Sequence, residues 1–251
     1  MALNWGLLLV VIGVLLVGCS NNSKHYSEGQ DQAAGNYLNL AKGYIEEGYV
    51  EKALKPLQRA LKITPRSSDV YGMLALVYQL GGENKEAEKA FKKALNYNSD
   101  AADVQNNYGA FLFSQERFDE AYKYFSQAAN NLFYDKRSRA YENMGIVAQK
   151  QNRNERAKYH FIKALKLNGK LITARLELAY ILHQHGEYRS AWSHYLIFAK
   201  QSDQNSRSLW LGVQLARKNA DRNAAASYGL QLEKMYPQSK EYREYRSQGR
   251  E

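Results

Sequence analysis

A spacing of 34 residues organises most of this chain. Ala53, Leu57 and Ala60 are followed 34 positions later by Ala87, Phe91 and Ala94, and again by Ala121, Phe125 and Ala128. Upstream of each set, Leu40, Ala41 and Tyr44 become Leu74, Ala75 and Tyr78, then Tyr108, Gly109 and Leu112, and Tyr37 recurs as Tyr71. Two extra residues enter near "NNLFYDKRS", and the pattern resumes with Tyr141, Met144, Gly145, Ala148, Ala157, Phe161 and Ala164. Leu178, Ala179, Leu182, Ala191 and Tyr195 form a fifth copy. A degraded sixth surrounds Leu211, Gly212, Leu215, Ala224, Tyr228 and Pro237, with a frame ambiguous by one residue.

Within a copy, apolar residues recur at three, four and seven positions, the face of an α-helix at 3.6 residues per turn. Turn signals separate two such helices, as in "EEGY", "LGGEN", "KQNRN" and "QHGEY". The small residues Ala41, Ala75, Gly109, Gly145 and Ala179 fall where the two helices of a pair come closest. One pair cannot cover its own apolar face, so neighbours must stack. The pattern resembles the tetratricopeptide repeat over residues 34 to 239. It implies an all-α fold, a right-handed α-solenoid of about six repeats near 34–67, 68–101, 102–135, 138–171, 172–205 and 206–239. Pro56 falls inside an expected second helix, where it should kink the chain. The tail after Pro237, with Tyr242 and Tyr245 one turn apart, reads as a C-terminal helix over 240–251 that caps the last apolar face, or as a basic contact.

Composition agrees with helix. Of 251 residues, 45% are apolar and 24% charged, too apolar for a disordered chain, and only three are proline. The net charge of +10, none of it from the first 23 residues, suits phospholipid headgroups, acidic proteins or nucleic acid, or simply a solvated basic face. The 20 tyrosines do not argue for base stacking. Tyr37, Tyr44, Tyr71, Tyr78, Tyr108 and Tyr141 hold repeat positions and are read as packing residues, so no nucleic-acid partner is expected.

Ahead of the repeats, Gly6 to Gly18 is a 13-residue apolar run ending at Cys19, the one cysteine. A bilayer span needs about 20 residues, whereas a secretory apolar region runs about 7 to 15. No Lys or Arg precedes the run. Leu16-Val17-Gly18-Cys19 resembles the lipobox of bacterial lipoproteins, which implies a signal peptide over 1–18 and a diacylglycerol on Cys19. An uncleaved anchor or a buried core helix are the alternatives. Residues 19–33, polar and without periodicity, are read as the lipidated cysteine and a flexible tether.

No catalytic constellation emerges. A lone cysteine makes no disulfide and no thiolate metal site. His25, His160, His183, His185 and His194 show no metal-ligand spacing and are read as solvated surface groups. Phosphate loops and nucleophile elbows are missing from the sequence. A non-enzyme without cofactor or metal is expected, the lipid on Cys19 aside.

Tetratricopeptide arrays usually bind through the face lined by the first helix of each pair. The positions there that the packing signature does not use are Leu38, Lys42 and Ile45, Gly72, Leu76, Gln79 and Leu80, Asn106, Ala110 and Phe113, Glu142, Ile146 and Gln149, then Leu176, Tyr180 and His183. Leu38, Ile45, Leu76, Leu80, Phe113, Ile146, Leu176 and Tyr180 make an apolar groove suited to an apolar or amphipathic segment, unless the superhelix is tight or the N-terminal segment fills it. A carboxylate clamp of the chaperone-binding kind is disfavoured, because only Lys42 and Asn106 are suitably placed.

A lipobox, a short tether and about six repeats resemble the PilF/PilW family of type IV pilus biogenesis lipoproteins. "NNYGAFLFSQERFDEAYKYFSQA" and "RAYENMGIVAQKQNRNERAKYHFIKAL" carry the likeness. The resemblance implies a pilotin, handed by the lipoprotein sorting machinery to the periplasmic face of the outer membrane, where it delivers pilus secretin subunits for multimerisation. Ser20, in place of the Asp that retains lipoproteins in the inner membrane, fits that destination. A lipoprotein scaffold or regulator of a cell-wall synthase or protease is the alternative.

Overall fold

The structure, a computed structural model, describes residues 21–249. The apolar run and Cys19 lie outside the described residues. Those described form thirteen α-helices and a single 3₁₀ turn, and no strand occurs among them. They fall into two units, divided after Val104.

The first unit holds α1 (Asn21–Glu46), a 3₁₀ turn at Val50–Ala53, α2 (Leu54–Ile63), α3 (Ser68–Leu80), α4 (Asn84–Tyr97) and the start of α5 (Ala102–Ser114). Two features depart from the sequence reading. The segment read as a tether is helical from Asn21 onward. It contains no proline, and it adds turns to a helix already nucleated by the first repeat, where each further residue costs little. Pro56 does not kink a helix interior. Second helices elsewhere start 34 residues apart, or 36 across the two-residue insertion, and counting 34 back from Asn84 this one should start at Val50. Its first turn is 3₁₀ instead, and the α-helix restarts at Leu54, which makes Pro56 its third residue. There an amide has no intrahelical acceptor, so nothing is lost by lacking one.

The second unit runs from Gln105 and holds the rest of α5, then α6 (Phe118–Asn130), α7 (Arg137–Lys150), α8 (Asn154–Leu167), α9 (Ile172–Gln184), α10 (Tyr188–Gln201), α11 (Ser206–Lys218), α12 (Arg222–Met235) and α13 (Lys240–Ser247). Its helix pairs close through small residues. A Cβ on Gly109 would lie 2.8 Å from the Phe125 ring, and one on Gly145 would lie 2.5 Å from that of Phe161. Ala179 and Tyr195, both buried, occupy the same positions in the next pair.

The sixth repeat reverses this arrangement. A residue with positive φ marks the turn within each helix pair: Gly48, Gly82, Glu116, Asn152, Gly186 and Ala220. Ala220 lies 34 residues past Gly186, so the last copy keeps the frame. Ala225, Gly229 and Leu232 therefore succeed Ala191, Tyr195 and Phe198, and all three are buried. Where an aromatic is due, Gly229 stands, and the Tyr245 ring of α13 packs so close that any Cβ there would collide with its hydroxyl. Tyr242 and Tyr245 join Leu209, Trp210, Val213 and Leu232 in one buried cluster.

Candidate functional site

The candidate positions on the first helices lie in both units. In the first, Leu38, Ile45, Leu76 and Gln79 are half-buried on α1 and α3, which contact one another. Lys42 is exposed and reaches Glu46 one turn on, at 3.8 Å. Leu80 is 58% exposed at the end of α3, and Leu40 and Tyr49 are also open to solvent. Gly72 faces Val104, and a Cβ there would meet the valine at 2.8 Å.

In the second unit, Phe113 leans on Phe118 across a turn, with ring centres 5.5 Å apart. Ile146, Leu176 and Tyr180 are half-buried against the core built on Phe161 and Tyr195. A polar ladder joins successive first helices over this apolar floor. The Asn143 side-chain amide donates to Asn106 Oδ1 at 3.2 Å. Gln149 Nε2 donates to Glu177 Oε2 at 3.0 Å, and Arg207 donates to both Glu177 oxygens at 2.9 and 3.1 Å. The same guanidinium lies 3.8 Å from the centre of the Tyr180 ring. Burial holds the Tyr180 phenol well above its ordinary pKa, so it stays neutral.

Glu142, placed on the groove side by the sequence, is turned inward and is only 3% exposed. Its Oε1 accepts from the Ala174 amide at 2.9 Å, and its Oε2 accepts from Arg139 at 3.1 Å. It therefore caps the first turn of α9, whose own flanking residue, Leu171, has no side-chain acceptor.

The histidines need correction, because His160 is no surface group. It is buried on α8 among Tyr122, Tyr141 and Tyr159, and its Nε2 is 2.9 Å from the Tyr122 hydroxyl. Burial first, and nearby Arg156 second, pull its pKa down to about 4. Burial likewise lowers His183 and His194. Repeat spacing could have warned of His160: it directly precedes Phe161, on the side that Ala157 and Ala164 bury. Among the described residues, no three His, Cys, Asp or Glu side chains gather as metal ligands. The floor thus presents apolar side chains with a row of paired polar groups beside them.

Helix pairs of this kind define a tetratricopeptide-repeat protein, and the profile of that repeat matches residues 68–100 and 100–170. The chain is 40% identical over 245 residues to the type IV pilus assembly protein PilF of Pseudomonas aeruginosa, across 96% of this chain and 97% of that one. The solved P. aeruginosa PilF structure superposes with a TM-score of 0.85 at 42% identity, over 88% of this chain and 99% of that one. PilW, described as a widely conserved type IV pilus biogenesis factor, superposes with a TM-score of 0.71 at 26% identity, over 85% and 98%. The chain belongs to the PilF family, an all-α family of tetratricopeptide scaffolds rather than of enzymes.

Proposed function

We propose that the chain is a lipid-anchored pilotin of type IV pilus biogenesis, binding pilus secretin subunits and promoting their multimerisation at the outer membrane. Its similarity to PilF along nearly the whole of both chains carries the reading. Cys19, diacylated after removal of residues 1–18, supplies the anchor, since each buried methylene contributes about 0.8 kcal/mol. Ser20 lets the sorting machinery pass the protein on to the outer membrane. Leu80, with the half-buried Leu38, Ile45 and Leu76 of the first unit, holds an apolar secretin segment and keeps it from premature association.

Co-purification from membranes tests both parts. The wild-type protein should retain secretin subunits. Leu80→Glu, at a side chain 58% exposed, should lose them while keeping its helicity. Undiminished capture would remove Leu80 from the site, and a wild-type preparation without secretin would refute the reading itself.

A further inference from the structure

The positive charge of this protein is not spread along it. Residues 1–104 carry eleven Lys and Arg and eleven Asp and Glu, and residues 105–251 carry 24 and 14. Within the second unit, residues 136–175 hold eleven basic side chains against Glu142 and Glu155, a net of +9. Helix order gathers part of this charge at one edge. A tight turn reverses the chain between α7 and α8, so α7 begins where α8 ends. The loops 131–136 and 168–171 thus share an edge, where Lys166 and Lys170 are exposed.

The basic edge also carries the most exposed apolar side chains of the described residues. Phe133 is 99% exposed and Leu132 74%, and Leu167 at the end of α8 is 50% exposed. Phe133 and Leu132 sit in the stretch that breaks the 34-residue period. Their loop is tied down around them. Tyr134 is buried, the Phe133 amide donates to Asn131 Oδ1 at 3.0 Å, and Arg137 Nε donates to the Ala129 carbonyl at 2.9 Å. The backbone thereby holds two apolar side chains out into water.

We propose that this edge is a docking surface for an anionic phospholipid bilayer. Phe133 and Leu132 enter the boundary between headgroups and acyl chains, and Lys166 and Lys170 meet the lipid phosphates. Apolar tips on a projecting loop, ringed by lysines, suit a soft apolar medium under an anionic surface. A nucleic acid would find no series of rings on which to stack. The contact rests on the described residues alone and is independent of lipid at Cys19 and of the pilus reading. It fixes how the second unit stands on a membrane.

The test uses the protein from Ser20 to Glu251, which lacks the apolar run and Cys19 yet keeps every buried residue from Ala34 to Tyr245. It is sedimented with vesicles of phosphatidylglycerol and phosphatidylethanolamine, and with vesicles of phosphatidylcholine alone. Binding to the anionic vesicles should be about tenfold stronger and should fall with salt. Leu132→Ser with Phe133→Ser, and separately Lys166→Glu with Lys170→Glu, should each weaken it about tenfold at an unchanged melting temperature. A Phe133→Trp variant should show blue-shifted emission on the anionic vesicles, a readout that needs no destabilising change. Equal binding to both vesicle types, no loss in the variants, or binding to soluble polyglutamate but not to vesicles would each overturn the proposal, the last in favour of an acidic protein partner.

Discussion

The carboxylate of Glu142, in the fourth repeat, accepts a hydrogen bond from the amide of Ala174 in the fifth, at 2.9 Å and out of contact with water. One repeat thus finishes the helix of the next. Glu142→Ala leaves the α9 amide and Arg139 without this partner and should cost about 2 kcal/mol in urea unfolding. Glu142→Gln keeps an acceptor and should cost less than half of that. Equal losses would show that charge, rather than capping, holds the carboxylate in place.

Gly145→Ala should be among the most damaging single-methyl additions in the chain. Its Cβ would press 2.5 Å from the Phe161 ring, which is fully buried and cannot withdraw. The expected loss is about 3 kcal/mol. Gly29→Ala, which adds a methyl where nothing lies within 4 Å, should be neutral or slightly stabilising, since alanine is the better helix former. Thermal unfolding of the two variants side by side measures the difference.

Ala220 adopts φ of 59° at a turn where Gly48, Gly82 and Gly186 stand in other repeats. A methyl side chain is strained there, so Ala220→Gly should stabilise the protein by about 0.5–1 kcal/mol, the relief of strain exceeding the entropy that glycine adds to the unfolded chain. The reverse change, Gly186→Ala, should destabilise it by a similar amount.

Stability should fall on mild acidification, and His160 is one cause. Folding keeps the imidazole neutral down to about pH 4, whereas in the unfolded chain it takes up a proton near its ordinary value of 6.5. Its contribution is complete above 6.5 and is lost as pH falls from there towards 4. His183 and His194 shift in the same direction. Tyr122→Phe combined with His160→Leu removes the buried pair without stranding a hydroxyl. Urea midpoints from pH 4.5 to 7.5 should then vary less steeply than in the wild type, with a residual slope from the other two histidines.

The period and fold class were legible because close helix packing demands small residues opposite rings, and Gly109, Gly145, Phe125 and Phe161 meet that demand in the sequence. The phase of the sixth copy was hidden because Gly229 exchanges roles with an aromatic supplied from outside the period, Tyr245. The helix from Asn21 was missed because its residues form no apolar stripe of their own and merely continue a helix nucleated downstream. The floor residues Ile146, Leu176 and Tyr180 could be placed by helix geometry. Their polar ladder could not, since Asn106 with Asn143 and Gln149 with Glu177 join residues 37 and 28 positions apart that no local pattern links. Phe133 stands outside the repeat signature altogether, and only its exposure draws notice.

The central claim is tested most directly by the state of the pilus secretin in cells that lack this protein. Membranes are resolved on gels that preserve secretin multimers. The account expects subunits to persist while multimers disappear, with restoration by the wild-type gene and not by a Cys19→Ser form. Unchanged multimers in the deletion strain, particularly alongside altered peptidoglycan, would contradict it.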